Sequence, residues 1–300
     1  MTLRHGQAVG LMVLVSLLWS TAGVVTRQLE AAQAFEITFW RSFFTFVTLT
    51  LVLPLWQGRG IWRRLAHDGW TLWLSGACWA VMFTAFMVAL TLTSVANVLV
   101  TMAVGPLLTA VAARVLIGHR LPARTWWAIG VAGLGIVWMF GRQMGEGSVA
   151  GSLVALAVPV AGALNWTLVQ RSRQAGHGVD LVPAVWIGGF LSALVTLPLA
   201  WPLQASAHDL AWLAGLGVGQ LALPCVLSVL CARVLSAPEV SLLGLLEVLF
   251  GIALAWVWAQ EAPAGYVLQG GALVLGALLV NEWLGRRARQ LVQGDSHGHR

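Results

Sequence analysis

Residues 239–260 read EVSLLGLLEVLFGIALAWVWAQ, and this stretch decides the class of fold. A bilayer core about 30 Å thick is spanned by about 20 apolar residues in a helix. The stretch has that length, and Glu247 is the one charged residue away from its ends. The sequence therefore predicts a helix that crosses a membrane here.

The composition of the whole chain points the same way. Its 300 residues are 59% hydrophobic and 9% charged, and its mean hydropathy is +0.82. Globular proteins carry about 25% charged residues, so this chain has too little charge to solvate the surface of a soluble domain of its size. A pI of about 10.9 would suggest nucleic-acid binding in a soluble protein, but the polar face that such binding needs is missing. We expect a lipid bilayer as a partner and no nucleic acid.

Ten apolar stretches are long enough to span a bilayer as helices. They lie at 8–26, 36–56, 70–91, 95–117, 123–141, 151–171, 181–201, 210–232, 239–260 and 264–284. The first is too long for the apolar region of a cleaved signal peptide, so we interpret it as a span. The sequence predicts an all-α polytopic membrane protein with ten transmembrane helices, short loops and no separate soluble domain.

Arginine positions predict the orientation, since all 17 basic residues are arginine. With a cytoplasmic N-terminus, fourteen of them fall on the cytoplasmic side: Arg4, Arg59, Arg63, Arg64, Arg114, Arg120, Arg124, Arg171, Arg173, Arg233, Arg286, Arg287, Arg289 and Arg300. Arg27 and Arg142 fall outside, and Arg41 lies within the second stretch. Cytoplasmic loops are enriched in basic residues. We therefore expect a multi-pass protein of the bacterial inner membrane with both termini in the cytoplasm.

The two halves of the chain resemble each other. Pro106 to His119 ends the fourth stretch and Val248 to Glu261 ends the ninth, and both segments have the same length. A proline-containing loop and then a glycine-rich stretch follow each segment. A five-helix unit repeated once must be inverted, because five is odd, and inverted repeats are typical of secondary transporters. We predict repeats at 1–145 and 146–285 and a basic cytoplasmic tail at 286–300; chance similarity between apolar helices is the alternative.

Three short motifs resemble those of a known protein family. They are Leu17-Leu18-Trp19-Ser20-Thr21, then Phe39-Trp40-Arg41, and Leu245-Leu246-Glu247-Val248 with Glu261 thirteen residues later. In order and spacing they resemble the EamA-type drug/metabolite transporter superfamily. The resemblance implies ten helices in two inverted five-helix halves, alternating access and transport of a small metabolite.

Two residues depart from the family pattern, and a separate stretch resembles one group within the family. His119 follows Gly118 where the family generally has glutamate, and Val248 follows Glu247 where it generally has proline. Either departure would alter gating. The stretch from Trp19 to Arg27, taken with Phe35 to Arg41, is similar to amino acid exporters of the superfamily, including the YddG-type aromatic amino acid exporters.

Polar and aromatic residues deep in the stretches are candidates for a substrate site, because polar groups inside a membrane are costly. Helical spacing brings them to common faces, including a stripe of Trp79, Met82 and Phe86 on the third stretch. The predicted substrate-binding residues are Trp19, Ser20, Trp79, Asn97, Thr101, Asn165, Trp166, Gln220, Ser228 and Glu247; Arg41, Pro106 and Pro224 are predicted to have gating or structural roles. Small residues at this spacing also serve helix packing, and amides also form interhelical hydrogen bonds.

Two charges lie deeper than the others. Glu247 is about 12 Å from the inner end of its stretch by helical rise, and Arg41 is near the outer end of its own, so their depths differ by about 10 Å. A direct pair would need kinked or tilted helices. Glu247 is a candidate amine ligand, proton carrier or structural carboxylate, and Arg41 either serves gating or pins a loop. A facilitator fits the sequence as well as a proton-coupled transporter does.

The function predicted from these residues is export of a small metabolite, most simply an aromatic or neutral amino acid, by alternating access. Multidrug, nucleoside or sugar transport is the alternative within the superfamily. A receptor, a scaffold and an intramembrane enzyme are the alternatives outside it; none of the common hydrolase or metalloprotease motifs is present. Cys78, Cys225 and Cys231 lie inside apolar stretches, so we predict no cofactor and no metal. A monomer or weak homodimer is expected.

Overall fold

The computed structural model describes residues 3–58, 60–62, 65, 69–93, 95–141, 149–174, 180–259 and 264–297. Throughout these ranges the regular structure is helical, without a strand. The helices are α1 (His5–Ser20), α2 (Ala34–Gln57), α3 (Gly69–Leu92), α4 (Val95–Met102), α5 (Gly105–Ile117), α6 (Ala123–Phe140), α7 (Val149–Gln174), α8 (Pro183–Ala200), α9 (Ala207–Ala232), α10 (Ala237–Gly244), α11 (Leu246–Ala259) and α12 (Gly265–His297). Several residues named in the sequence analysis lie outside the described part: Arg59, Arg63, Arg64, Arg142, Glu261, Arg300 and the side chains of Arg27, Asn97, Arg286 and Arg289.

Each predicted apolar stretch coincides with one or two of these helices. Seven helical segments are long and apolar enough to cross a membrane unaided: 34–57, 69–92, 149–174, 183–200, 207–232, 237–258 and 265–285. The prediction of an all-helical, multi-pass membrane protein is therefore confirmed. The arrangement of ten spans in two inverted repeats stays a prediction.

The first predicted span is not continuous near its end, where α1 is followed by short helical turns at Ala22–Val25 and Thr26–Gln28. The fourth and ninth predicted spans are broken as well. In the fourth stretch, α4 ends at Met102 and α5 begins at Gly105. Pro106 explains this break, because it has no N–H for the Met102 carbonyl four residues earlier. In the ninth stretch, α10 ends at Gly244 and α11 begins at Leu246. Both breaks lie well inside the predicted spans.

A close crossing joins α6 to α12. A Cβ atom added to Gly135 would lie 2.7 Å from the Gly270 carbonyl oxygen, and one added to Gly270 would collide with Gly135 and Met139. Trp138 also donates its indole N–H to the Gln269 side chain at 3.2 Å. Small residues allow membrane helices to approach this closely, so these glycines serve packing.

The first of two buried carboxylates at the helix starts belongs to Glu36, near the beginning of α2. Its side chain is 1% exposed. Its Oε1 accepts the backbone N–H groups of Gln204 and Ala205 at 2.9 and 2.8 Å, and the Trp40 indole N–H at 3.2 Å. Glu36 therefore fastens the loop that precedes α9 to the start of α2.

Asp209 makes the reciprocal connection from the start of α9. It is fully buried and accepts the backbone N–H groups of residues 30–32 at 2.8–3.1 Å. It also forms a capping box with Ser206. Asp209 thus holds the loop that precedes α2, as Glu36 holds the loop that precedes α9. Each of the two helices therefore binds the loop that leads into the other.

Substitution of Asp209 tests whether its hydrogen bonds to this loop stabilise the fold. In Asp209→Asn one carboxylate oxygen becomes an amide NH2, which faces backbone donors instead of accepting from them. Buried N–H groups left without an acceptor destabilise the fold. We expect the Tm in detergent to fall by several degrees.

Glu30→Gln is the matched control, since the Glu30 side chain is 71% exposed and only its backbone N–H bonds to Asp209. It should leave the Tm unchanged. Equal Tm values for both variants and the native chain would show that the Asp209 bonds do not stabilise the protein.

Candidate functional site

A cavity of about 180 Å³ lies among α1, α2, α3, α4, α5, α7, α9, α10 and α11. Both helix breaks open onto it, because Gly105 and Pro106 line it at the start of α5 and Gly244 and Leu245 line it between α10 and α11. Irregular backbone at membrane depth is tolerated only where it is buried in protein or lines a cavity. The broken helices thus meet where the bilayer permits irregular backbone.

One wall of the cavity is aromatic. The rings of Trp79 on α3 and Trp166 on α7 meet edge to face, with centroids 5.5 Å apart. Phe83 lies 5.5 Å from Trp79, centroid to centroid, one turn further along α3. Gly162 keeps space in front of this wall, because a Cβ there would lie 3.8 Å from the Trp166 indole nitrogen and 3.5 Å from the Met82 sulfur. The wall offers an aromatic, apolar surface to a solute.

Another part of the cavity lining carries a chain of polar contacts. Arg41 on α2 donates from Nη2 to the Gln220 side-chain oxygen on α9 at 2.7 Å. Gln220 in turn donates to the Trp19 carbonyl oxygen at 3.2 Å, near the end of α1. Three helices are therefore connected through one guanidinium and one amide.

The backbone of α9 positions Gln220. Residues Leu216–Ala222 form a π-helical segment just before Pro224, and such segments are frequent at functional sites. Gly217 permits α9 to touch α2, because a Cβ there would lie 2.5 Å from Phe44 Cβ and 2.9 Å from the Arg41 carbonyl oxygen. The Thr45 hydroxyl lies 2.9 Å from the Gly217 carbonyl oxygen and can donate to it. The widened turn and the close contact direct Gln220 toward Arg41.

Glu247 is the acidic residue of the cavity lining. It lies in the first turn of α11, where the helix dipole stabilises a negative charge. Its carboxylate interacts electrostatically with Arg41. In the described chain the two groups form neither an ion pair nor a hydrogen bond with each other. Both charges thus face one cavity without direct contact.

The structure brings together seven of the thirteen predicted site residues. Trp19, Arg41, Trp79, Pro106, Trp166, Gln220 and Glu247 line the cavity. Met82 and Phe86 of the predicted aromatic stripe line it too. Sequence reasoning missed Met12, Met102, Pro159, Cys225 and Ser241, which also line it. Nothing in an apolar helix distinguishes such residues from those that pack against a neighbour.

Five other predicted residues do not line the cavity. Ser20 and Ser228 donate to carbonyl oxygens of their own helices, at 2.6 and 2.7 Å. The Asn165 oxygen accepts from the Ser75 hydroxyl at 2.6 Å, which joins α7 to α3. Thr101 and Pro224 do not line the cavity. The Asn97 side chain lies outside the described residues.

Comparisons with known proteins agree with this architecture. Residues 7–141 match the sequence model of the EamA-like transporter family. Among curated proteins none matches the sequence. A protein of known crystal structure has a similar fold, with a TM-score of 0.76 over 95% of this chain and 100% of that chain, at 20% sequence identity. That identity supports likeness of fold alone. The chain is thus a multi-pass membrane protein whose first half is similar to EamA-like transporters.

The Arg41–Gln220 contact generates a prediction. Gln220→Leu removes the strongest acceptor of a buried guanidinium, and unpaired buried charges are costly. We expect the Tm in detergent to fall by several degrees. Adding Arg41→Met should restore much of the loss, because replacement of both partners by apolar groups removes the unpaired charge.

Ser228→Ala on the same helix is the control, since it loses only a bond within its own helix. It should change the Tm little. If the losses of Gln220→Leu and Arg41→Met simply added in the double variant, the contact would not contribute to stability.

Proposed function

We propose that the whole chain is an EamA-like secondary transporter of the drug/metabolite superfamily, which carries a small metabolite by alternating access. The observation that carries the proposal is the cavity, where two broken helices, an aromatic wall and two unpaired opposite charges meet. Broken helices around a central site are typical of secondary transporters. The match of residues 7–141 supports the family for the first half.

The proposal includes ten spans in two inverted five-helix repeats. In such a repeat each apolar stretch corresponds to the one five places later. Helix packing supports this, because three stretches pack against their own counterparts, as α2–α8, α5–α10 and α6–α12. Likewise α3 packs on α7 as α9 packs on α1, and these two pairs correspond.

The helix breaks support the repeats as well. When Pro106 is aligned with Val248, Gly105 corresponds to Glu247. The starts of α5 and α11, at Gly105 and Leu246, then differ by one residue. A break at nearly the same place in both halves is expected from duplication and not from chance similarity of apolar helices.

We further propose that the substrate is an amino acid, aromatic or neutral. An aromatic wall suits an apolar body, and a few polar groups suffice to orient a small ligand. Sugar phosphates and nucleotide sugars would need several cationic groups, whereas Arg41 is the cation in the described cavity lining. Nucleosides, sugars and drugs are the second candidates, since they too pair an apolar face with hydrogen-bonding groups.

Location and direction belong to the same proposal. The arginine distribution supports cytoplasmic termini in the bacterial inner membrane, and the resemblance to amino acid exporters supports export. The protein would work as a monomer or weak homodimer, because the cavity is enclosed by helices of one chain.

Transport into liposomes tests the function directly. Purified protein should exchange labelled L-phenylalanine or other neutral amino acids, and unlabelled amino acids should compete. The panel includes nucleosides, sugars and cationic drugs. If one of these is carried and no amino acid is carried or competes, the substrate class is wrong and the transporter assignment stands; if nothing is carried, both fail.

Trp166→Ala tests the aromatic wall. Loss of the ring removes the surface on which an aromatic solute would stack, and aromatic contacts contribute about 0.5–1.5 kcal/mol beyond area burial. We expect phenylalanine transport to fall several-fold more than threonine transport. Trp127→Ala is the control, since Trp127 is 75% exposed on α6. An equal loss for both substrates would assign Trp166 to packing.

A further inference from the structure

Arg41 has more hydrogen-bond donors than the surrounding protein uses. A guanidinium carries five N–H donors. In the described chain one goes to Gln220 and one to the Met87 sulfur, at 3.1 Å. Thioether sulfur is a weak acceptor, and the buried Nε has no partner. Three donors are therefore unpaired on a side chain that is 5% exposed and lines the cavity.

Glu247 shows the complementary deficit. Its carboxylate lines the same cavity, and no described residue donates a hydrogen bond to it. Burial of an unpaired charge is costly, and the attraction between Arg41 and Glu247 offsets this cost without supplying either group with a hydrogen bond. Each charge still lacks a direct partner.

We propose that Arg41 and Glu247 form a two-point site for a zwitterion, in which Arg41 binds the substrate carboxylate and Glu247 binds the ammonium group. The apolar body of the substrate lies against Trp79 and Trp166. This inference rests on the proposed function and deepens it, because it states which protein group binds which end of the amino acid.

Charge balance makes the site selective. A zwitterion supplies a partner for both Arg41 and Glu247 and leaves the net charge of the cavity unchanged. A lone anion would pair with Arg41 but place a second negative charge near Glu247, and a lone cation would do the reverse. Selectivity of this kind comes from the groups that the wrong ligand leaves unpaired.

Binding of three compounds with one aromatic body tests the assignment. They are L-phenylalanine, phenethylamine, which lacks the carboxylate, and 3-phenylpropionate, which lacks the ammonium group. Calorimetric titration of the full chain in detergent gives each Kd without interference from passive membrane permeation. The native chain should bind phenylalanine about tenfold or more tightly than either analogue, since charge-assisted hydrogen bonds are of that magnitude.

The variants should divide the compounds by charge. Glu247→Gln should weaken phenylalanine and phenethylamine about tenfold and leave 3-phenylpropionate equal or tighter. Arg41→Lys keeps the positive charge but loses the planar fork, so it should weaken phenylalanine and 3-phenylpropionate and leave phenethylamine unchanged. Glu282→Gln, on α12 and away from the cavity lining, is the matched control and should change no Kd.

Each result has one meaning. Equal weakening of all three compounds by Glu247→Gln would overturn the two-point site. Native binding of either analogue as tight as that of phenylalanine would overturn it too. In both cases, carriage of phenylalanine in liposomes would leave the proposed function intact. If Arg41→Lys does not fold, Glu247→Gln alone decides. If no amino acid of the panel is bound, is carried or competes, the amino acid assignment fails and the site fails with it. If another neutral amino acid is carried instead of phenylalanine, its own amine and carboxylate analogues form the test series.

Discussion

The hydrogen bond from Arg41 to Gln220 constrains the packing of three helices. A guanidinium within the membrane cannot rely on water, so the protein must supply its acceptor. Gln220 reaches Arg41 because α9 widens into a π-helical segment, and α9 approaches α2 because Gly217 has no side chain. The amide then holds the end of α1 through the Trp19 carbonyl. One charge therefore accounts for the irregular turn, the glycine and the junction of three helices.

The breaks in α4–α5 and α10–α11 determine where the second charge can lie. Within a continuous helix Glu247 would have no backbone donors nearby. In the structure it occupies the first turn of a new helix, where the helix dipole favours a carboxylate. The same break opens the cavity beside it. Arg41 and Glu247 can thus face each other because one helix is widened and the other is interrupted.

Sequence reasoning predicted the helices but only part of the cavity. Length and hydropathy suffice for a membrane helix, since a bilayer leaves the backbone few alternatives, and the depth of Trp79 and Trp166 indicated the aromatic wall. Ser20 and Ser228 look equally polar in sequence, yet their own helices satisfy them. The predicted depth difference between Arg41 and Glu247 assumed straight helices, so it could not foresee one cavity lined by both. Arg41 and its partner Gln220 are 179 residues apart in sequence, and helical periodicity cannot predict a contact between such distant residues.

The carboxylates near helix starts differ in their freedom to change partners. Glu36 and Asp209 each accept two or more backbone N–H groups and are buried, so their acceptor capacity is used by the fold itself. A ligand could not recruit them without detaching a loop. Among the residues that the structure describes, Glu247 accepts no such bond, and three Arg41 donors have no acceptor. The transport cycle that we propose requires groups that exchange one partner for another at little cost. Among the charged residues described, Arg41 and Glu247 fit that requirement better than Glu36 and Asp209 do.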